Sequence, residues 1–198
     1  MNSSIKTIVP EIHLANRPKF IQWLGRSLHK VSGWKVEGEI PNLKKFILVG
    51  APHTSNWDFV HALILIWAID LKLNVLAKHT LFKIPFLKNI LSGIGGIPVD
   101  RKNPQLVVDE VSKLTDGDGG VIIGLTPEGT RKRVEKWKSG FLRIAEQTES
   151  KIVLIGIDFD KKICSFSGFF DPTGDNDKDI EYIKNFYKKF KPKIPNNF

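Results

Sequence analysis

Short apolar runs alternate with longer stretches of helical period along nearly the whole chain, and this alternation narrows the choice of fold more than any other feature. Lys45 to Gly50, Leu73 to Ala77, Val121 to Leu125 and Ile152 to Ile157 read as strands, as do the shorter pieces Trp34 to Gly38, Ile97 to Val99 and Ile163 to Phe166. Pro18 to Val31 predicts an amphipathic helix. Phe20, Trp23, Leu24, Leu28 and Val31 share one of its faces, and Lys19, Arg26 and Lys30 lie opposite. Trp57 to Ile69 predicts a largely buried helix, apolar nearly all round. Further helices are expected over Ile84 to Leu91, Pro104 to Leu114, Trp137 to Thr148 and Lys178 to Phe190. A hairpin-like turn is expected at Asp160-Lys161-Lys162. The expected architecture is α/β, with a mixed, mostly parallel central sheet flanked by helices. No linker, repeat or low-complexity segment breaks the 198 residues, so one domain over 1–198 is expected.

The formal net charge of +9 points to polyanionic neighbours: nucleic acid, anionic lipid headgroups, phosphorylated substrates or an acidic carrier protein. A single cysteine, Cys164, excludes an internal disulfide and a cysteine-based metal site. The N-terminus Met1-Asn2-Ser3-Ser4-Ile5-Lys6 leads into no signal-peptide h-region. The longest near-apolar run, Phe59 to Ala68, falls short of the roughly 20 residues a spanning helix needs. The expected location is therefore cytoplasmic, with the 18–32 helix a possible contact to the membrane surface.

Chemistry-bearing residues collect just beyond strands. His53 and Asp58 stand in Pro52-His53-Thr54-Ser55-Asn56-Trp57-Asp58, directly after the Lys45 to Gly50 run. Residues five apart on one helix lie about 140° from each other. The pair therefore converges only if the chain turns after His53 and a helix starts near Asn56. Such a dyad would let the carboxylate hold the imidazole tautomer while the ring moves a proton. By spacing alone a loop histidine near a helix-starting Asp is the commoner arrangement. Gly95-Gly96-Ile97-Pro98-Val99-Asp100-Arg101 supplies glycines for close backbone approach and Arg101 as an anion clamp. Thr126-Pro127-Glu128-Gly129-Thr130-Arg131 follows the Val121 to Leu125 strand. It is suitable material for a site at a strand's C-terminal end, and equally good turn chemistry. Lys78, at the end of another strand, is an anion contact or a solvated strand end.

Taken together these segments resemble the glycerolipid acyltransferases typified by 1-acyl-glycerol-3-phosphate acyltransferase. His53 to Asp58 is similar to that family's His-x4-Asp block, and Gly95 to Arg101 to its Gly-x-hydrophobic-hydrophobic-hydrophobic-Asp-Arg block. Pro127 to Arg131 stands as an intact Pro-Glu-Gly-Thr-Arg block, and Ile152 to Ile157 matches the fourth, hydrophobic block. The resemblance runs from about Gly33 to Ile157. Two departures stand out: the fourth block lacks its usual proline, and Pro85-Phe86-Leu87-Lys88 replaces a Pro-Phe-Phe-Gly-like stretch.

The resemblance implies a glycerol-3-phosphate acyltransferase-like fold and acyl transfer from a thioester, acyl-CoA or acyl carrier protein, to a lysophospholipid hydroxyl. The acceptor it suggests first is 1-acyl-glycerol-3-phosphate, giving phosphatidic acid; another lysolipid or an amino-alcohol acceptor is the alternative. It implies His53 as general base and Asp58 as its orienter. Arg101, with Arg131 and Lys78, would grip the acceptor phosphate, while Glu128, Gly129 and Thr130 organise the acceptor site. Neither a cofactor nor a metal is implied, and the enzyme is expected to work peripherally on the cytoplasmic face of the membrane. Ser55 is expected to cap or turn the chain rather than act as nucleophile. From another class, the basic charge allows a nucleic-acid-binding module. Against it, aromatics are not interleaved with the basic clusters, and no helix-turn-helix or RNA-binding pattern occurs, so no nucleic-acid partner is expected.

Overall fold

The apolar runs form the middle of a sheet because each is covered on both faces and has no polar side to leave in water. The computed structural model describes residues 9–100, 104–117 and 119–198. Among these, seven strands lie in the order β1 (Lys35–Gly38), β7 (Ile163–Phe170), β6 (Lys151–Asp158), β2 (Lys45–Ala51), β5 (Val121–Leu125), β3 (Asn74–Lys78) and β4 (Gly96–Val99). All neighbours are parallel except β6 and β7, which pair antiparallel across the expected turn. The mixed, mostly parallel sheet is the expected one.

Alternation along the central strands divides two cores. Ile47, Val49 and Ala51 of β2, Ile123 of β5 and Leu154 of β6 face one side, with Val111, Leu142 and Ile183. Those last three come from α4 (Pro104–Thr115), α5 (Gly140–Gln147) and α6 (Asn176–Tyr187). Phe46, Leu48, Ile122 and Val153 face the other side, with Leu65, Ile66 and Leu91 from α2 (Asn56–Ala68) and α3 (Pro85–Gly93).

Three elements differ from expectation by three residues or more at one end. Residue 137 lies outside a helix: Trp137 is buried in a loop whose Lys138 N–H donates to Pro127 O at 2.9 Å, and α5 begins only at Gly140. The last helix starts earlier than expected because Asp175 caps it, accepting from Lys178 N, and it ends at Tyr187. β7 extends to Phe170, paired with β6 on either side of a bulge at Ser167.

Helix α1 (Lys19–Ser32) forms an outer layer on α2 and is turned opposite to the usual sense. It docks through its polar and small residues: Gln22, Gly25 and His29 are buried. Gln22 Nε2 donates to Asp70 Oδ2 at 3.2 Å, and Arg26 Nε donates to Ala68 O at 3.2 Å. At the crossing, a Cβ on Gly25 would stand 2.5 Å from Ala68 N, so only glycine allows this approach. The apolar stripe is left outside, with Phe20 exposed, Trp23 61% exposed and Val31 86% exposed. Among the described residues no helix is long and apolar enough to cross a membrane.

Candidate active site

Sheet register brings the two principal motifs together. β2 and β5 are parallel neighbours with Val49 opposite Leu125, so the loops leaving their C-terminal ends emerge side by side. One loop carries His53 and the other Glu128, residues 75 positions apart in sequence that meet through a hydrogen bond from His53 N to Glu128 Oε1 at 2.7 Å.

The His53–Asp58 geometry follows from how α2 begins. Ser55 is its N-cap, its side chain accepting from Trp57 N at 3.1 Å. Asp58, at the third helical position, reaches back so that Oδ2 accepts from Ser55 N and Thr54 N, each at 2.7 Å. This reciprocal arrangement satisfies donors at the helix start. It also fixes the carboxylate, which is 2% exposed, where Oδ2 lies 3.1 Å from His53 Nδ1. The turn after His53 thus makes the two residues converge, as the spacing requires. With Nδ1 engaged by the carboxylate, Nε2 is the ring nitrogen left to exchange a proton with a substrate. Ser55 is occupied as a cap, and burial pushes the Cys164 thiol up to about 12, so neither is a ready nucleophile.

Glu128 is 4% exposed. Its Oε1 holds the His53 backbone, while Oε2 is buried without a hydrogen-bond partner among the described residues. Burial pushes its carboxyl up to about 7, against the opposing pull of the His53 amide. Gly129 takes a φ of 64° to turn the loop, its N–H donating to Thr126 O at 3.2 Å. Thr130 Oγ1 accepts from Lys132 N at 3.3 Å and so braces the same loop.

Arg131 lines an open groove of about 520 Å³ together with Thr130, Lys132, Asn56 and Trp57. His53, Asp58 and Glu128 do not line it; the rest of the lining is Thr54 and Ser55 with Ile194 and Asn197, the last two near the C-terminal end of the described chain. Nothing in the composition of that stretch marks it as part of a site, whereas Trp57 lies inside the His/Asp motif and could have been picked out there. Lys78 ends β3, separated from β2 by β5, and is exposed outside the groove lining. Arg101 lies outside the described residues. His61, expected to be packed or partly exposed, stacks on Trp34 with ring centroids 4.1 Å apart, and burial lowers its pKa.

Comparison with known proteins gives the family and the fold. A family model described as Acyltransferase matches residues 34–158. A 1-acyl-sn-glycerol-3-phosphate acyltransferase of Borreliella burgdorferi is 32% identical over 118 residues, 58% of this chain and 46% of that protein. One of the same name from Haemophilus influenzae is 28% identical over 183 residues, 80% of this chain and 74% of that protein. The chain therefore spans about half the length of the first of these relatives and about three quarters of the second. Among solved structures, the 1-acyl-sn-glycerophosphate acyltransferase of Thermotoga maritima shares the fold at a TM-score of 0.61 and 20% identity, over 86% of this chain and 76% of that one. With the family model covering well over half of its length, from β1's threshold to the end of β6, this chain belongs to the acyltransferase family.

Proposed function

We propose that this protein moves a fatty acyl group from a thioester donor to the free hydroxyl of a lysophospholipid, with 1-acyl-glycerol-3-phosphate as the first acceptor to test. The observation that carries the reading is the His53 Nδ1 to Asp58 Oδ2 contact at 3.1 Å, held by two backbone donors on the same carboxylate oxygen. His53 Nε2 takes the proton of the acceptor hydroxyl as its oxygen attacks the thioester carbonyl. Asp58 stabilises the imidazolium so formed. Collapse of the tetrahedral adduct forms the ester, breaks the C–S bond and returns the proton from Nε2 to the departing thiolate. Glu128 keeps the base in place through the His53 amide, and Arg131, with Lys132 beside it, faces the acceptor's phosphate in the groove. Arg101 completes this anion grip in the proposed mechanism, and Lys78 contributes to the field rather than to a direct contact.

Both acyl-CoA and an acidic acyl carrier protein suit the positive charge of the chain as donor. Access to a lipid acceptor comes through the outward apolar stripe of α1, which lies in the surface plane of an anionic bilayer, with the enzyme peripheral on the cytoplasmic face. A panel of lysolipids offered with both thioester donors, read by lipid mass spectrometry, tests the reaction. His53→Ala is expected to lower turnover about 10²–10⁴-fold while leaving the fold intact. Wild-type turnover in that variant refutes the base assignment.

A further inference from the structure

The groove lined by Thr54, the residue after His53, takes part of its wall from residues that lie well outside the matched family region, which ends at residue 158. After α6 the chain folds back as a strap over the C-terminal ends of the strands. Asp158, at the end of β6 and buried, fastens it: Oδ2 accepts from Lys191 N at 3.3 Å, and Phe159 N donates to Lys191 O at 2.8 Å. Phe190 packs over Gly156 so closely that a Cβ there would meet its ring at 2.0 Å. At the far end the Phe198 ring lies 6.0 Å from that of Trp137. Between these anchors the strap makes two hydrogen bonds to a single residue of the active-site loop. Ile194 N donates to Thr54 Oγ1 at 3.2 Å, and Asn197 Nδ2 donates to Thr54 O at 3.3 Å.

Thr54 is a telling choice of partner. It is buried, it follows His53 directly, and its own N–H is one of the two donors that hold Asp58 Oδ2. The loop bearing the base is therefore gripped from both sides, by the α2 cap on one and by the strap on the other. Ile194 and Asn197 also line the same open groove as Trp57 and Arg131.

We infer that the 188–198 strap is a working part of the active site: through Thr54 it positions the His53 loop, and with Ile194 it walls the groove for the phosphorylated acceptor. Thr54, Ile194 and Asn197 are positioning residues; none of them exchanges a proton. The groove's occupant rests on the acyl-transfer reading above, whereas the clamp on the loop does not.

The test joins hydrogen–deuterium exchange over residues 53–58 with steady-state kinetics on lysophosphatidate. Thr54→Val keeps the shape of the side chain and removes the acceptor for Ile194 N; Thr54→Ser keeps the hydroxyl. Loss of such a bond corresponds to roughly five- to tenfold in the equilibrium it biases. Thr54→Val is expected to speed exchange at the loop amides and lower kcat by about that factor, with Thr54→Ser within about twofold of wild type in both. Asn197→Ala, which removes only a half-buried side chain, is expected to quicken exchange in the same peptide, and it decides the matter should Thr54→Val fail to fold. Ile194→Ala is expected to raise the acceptor KM about fivefold with the donor KM unchanged. The clamp is overturned if Thr54→Val and Asn197→Ala exchange and turn over as wild type, or if Thr54→Ser is as impaired as Thr54→Val. An unchanged acceptor KM in Ile194→Ala overturns the wall. If the wild-type protein acylates no lysolipid, the acyl-transfer reading falls while the exchange comparison still decides the clamp.

Discussion

Replacing Glu128 by Gln should make the protein more stable, and by an amount that grows with pH. In the wild type the buried carboxyl titrates near 7 instead of at the ordinary 4.5, because ionising it costs the water it has lost and Oε2 has no donor in return among the described residues. The unfolded chain ionises this group as pH rises through about 4.5, whereas the folded chain resists until about 7. A raised carboxyl pKa therefore penalises folding progressively across that window, with no penalty below it and the full penalty above. At about 1.4 kcal/mol per pH unit, the interval from 4.5 to about 7 amounts to roughly 3 kcal/mol. In Glu128→Gln the amide keeps an oxygen to accept from His53 N and carries no charge to desolvate. Urea titrations of both proteins between pH 4 and 8 should give curves that coincide most closely at the acid end and diverge to about 3 kcal/mol near neutrality. For a chain of this length that is roughly 6–12 °C in Tm. A stability difference that stays flat over the whole range refutes the argument, because it means that Glu128 ionises normally in the folded protein.

Asp58→Asn should damage both chemistry and fold. It is expected to lower kcat by about 10²-fold or more and to cost about 1–2 kcal/mol by urea denaturation, because the same oxygen serves His53 and the start of α2. His53→Ala, which leaves the cap intact, should lose activity without that stability cost. Gly25→Val should push α1 off Trp67 and Ala68 and cost roughly 1–3 kcal/mol in thermal denaturation. Gly93→Ala, where nothing lies within 4 Å of the new Cβ, is the control and should change little. Phe20→Ser combined with Trp23→Ser should abolish flotation with anionic vesicles while changing stability by no more than about 1 kcal/mol, since both side chains are exposed. Undiminished flotation of the double variant argues against α1 as the membrane contact.

Much of this molecule can be read from its residues in order. Apolar runs such as Val121 to Leu125, with no polar alternation, belong in a buried parallel sheet because a strand covered on both faces has nowhere to put a charge. The helix start at Ser55 and the return of Asp58 to His53 are local events within six residues, so the motif itself contains the geometry. Pairings between distant segments are not local. That Glu128 would support the His53 amide follows from β2 lying beside β5, and that Ile194 and Asn197 would wall the groove follows from the fold-back after α6. The amphipathic pattern of α1 is plain in the sequence, yet which face turns inward is decided by Gly25, whose missing Cβ lets the polar side approach α2 more closely than the apolar side chains could. Short-range spacing is dictated by backbone geometry and so is written into the chain; contacts across tens of residues depend on packing that no single segment carries.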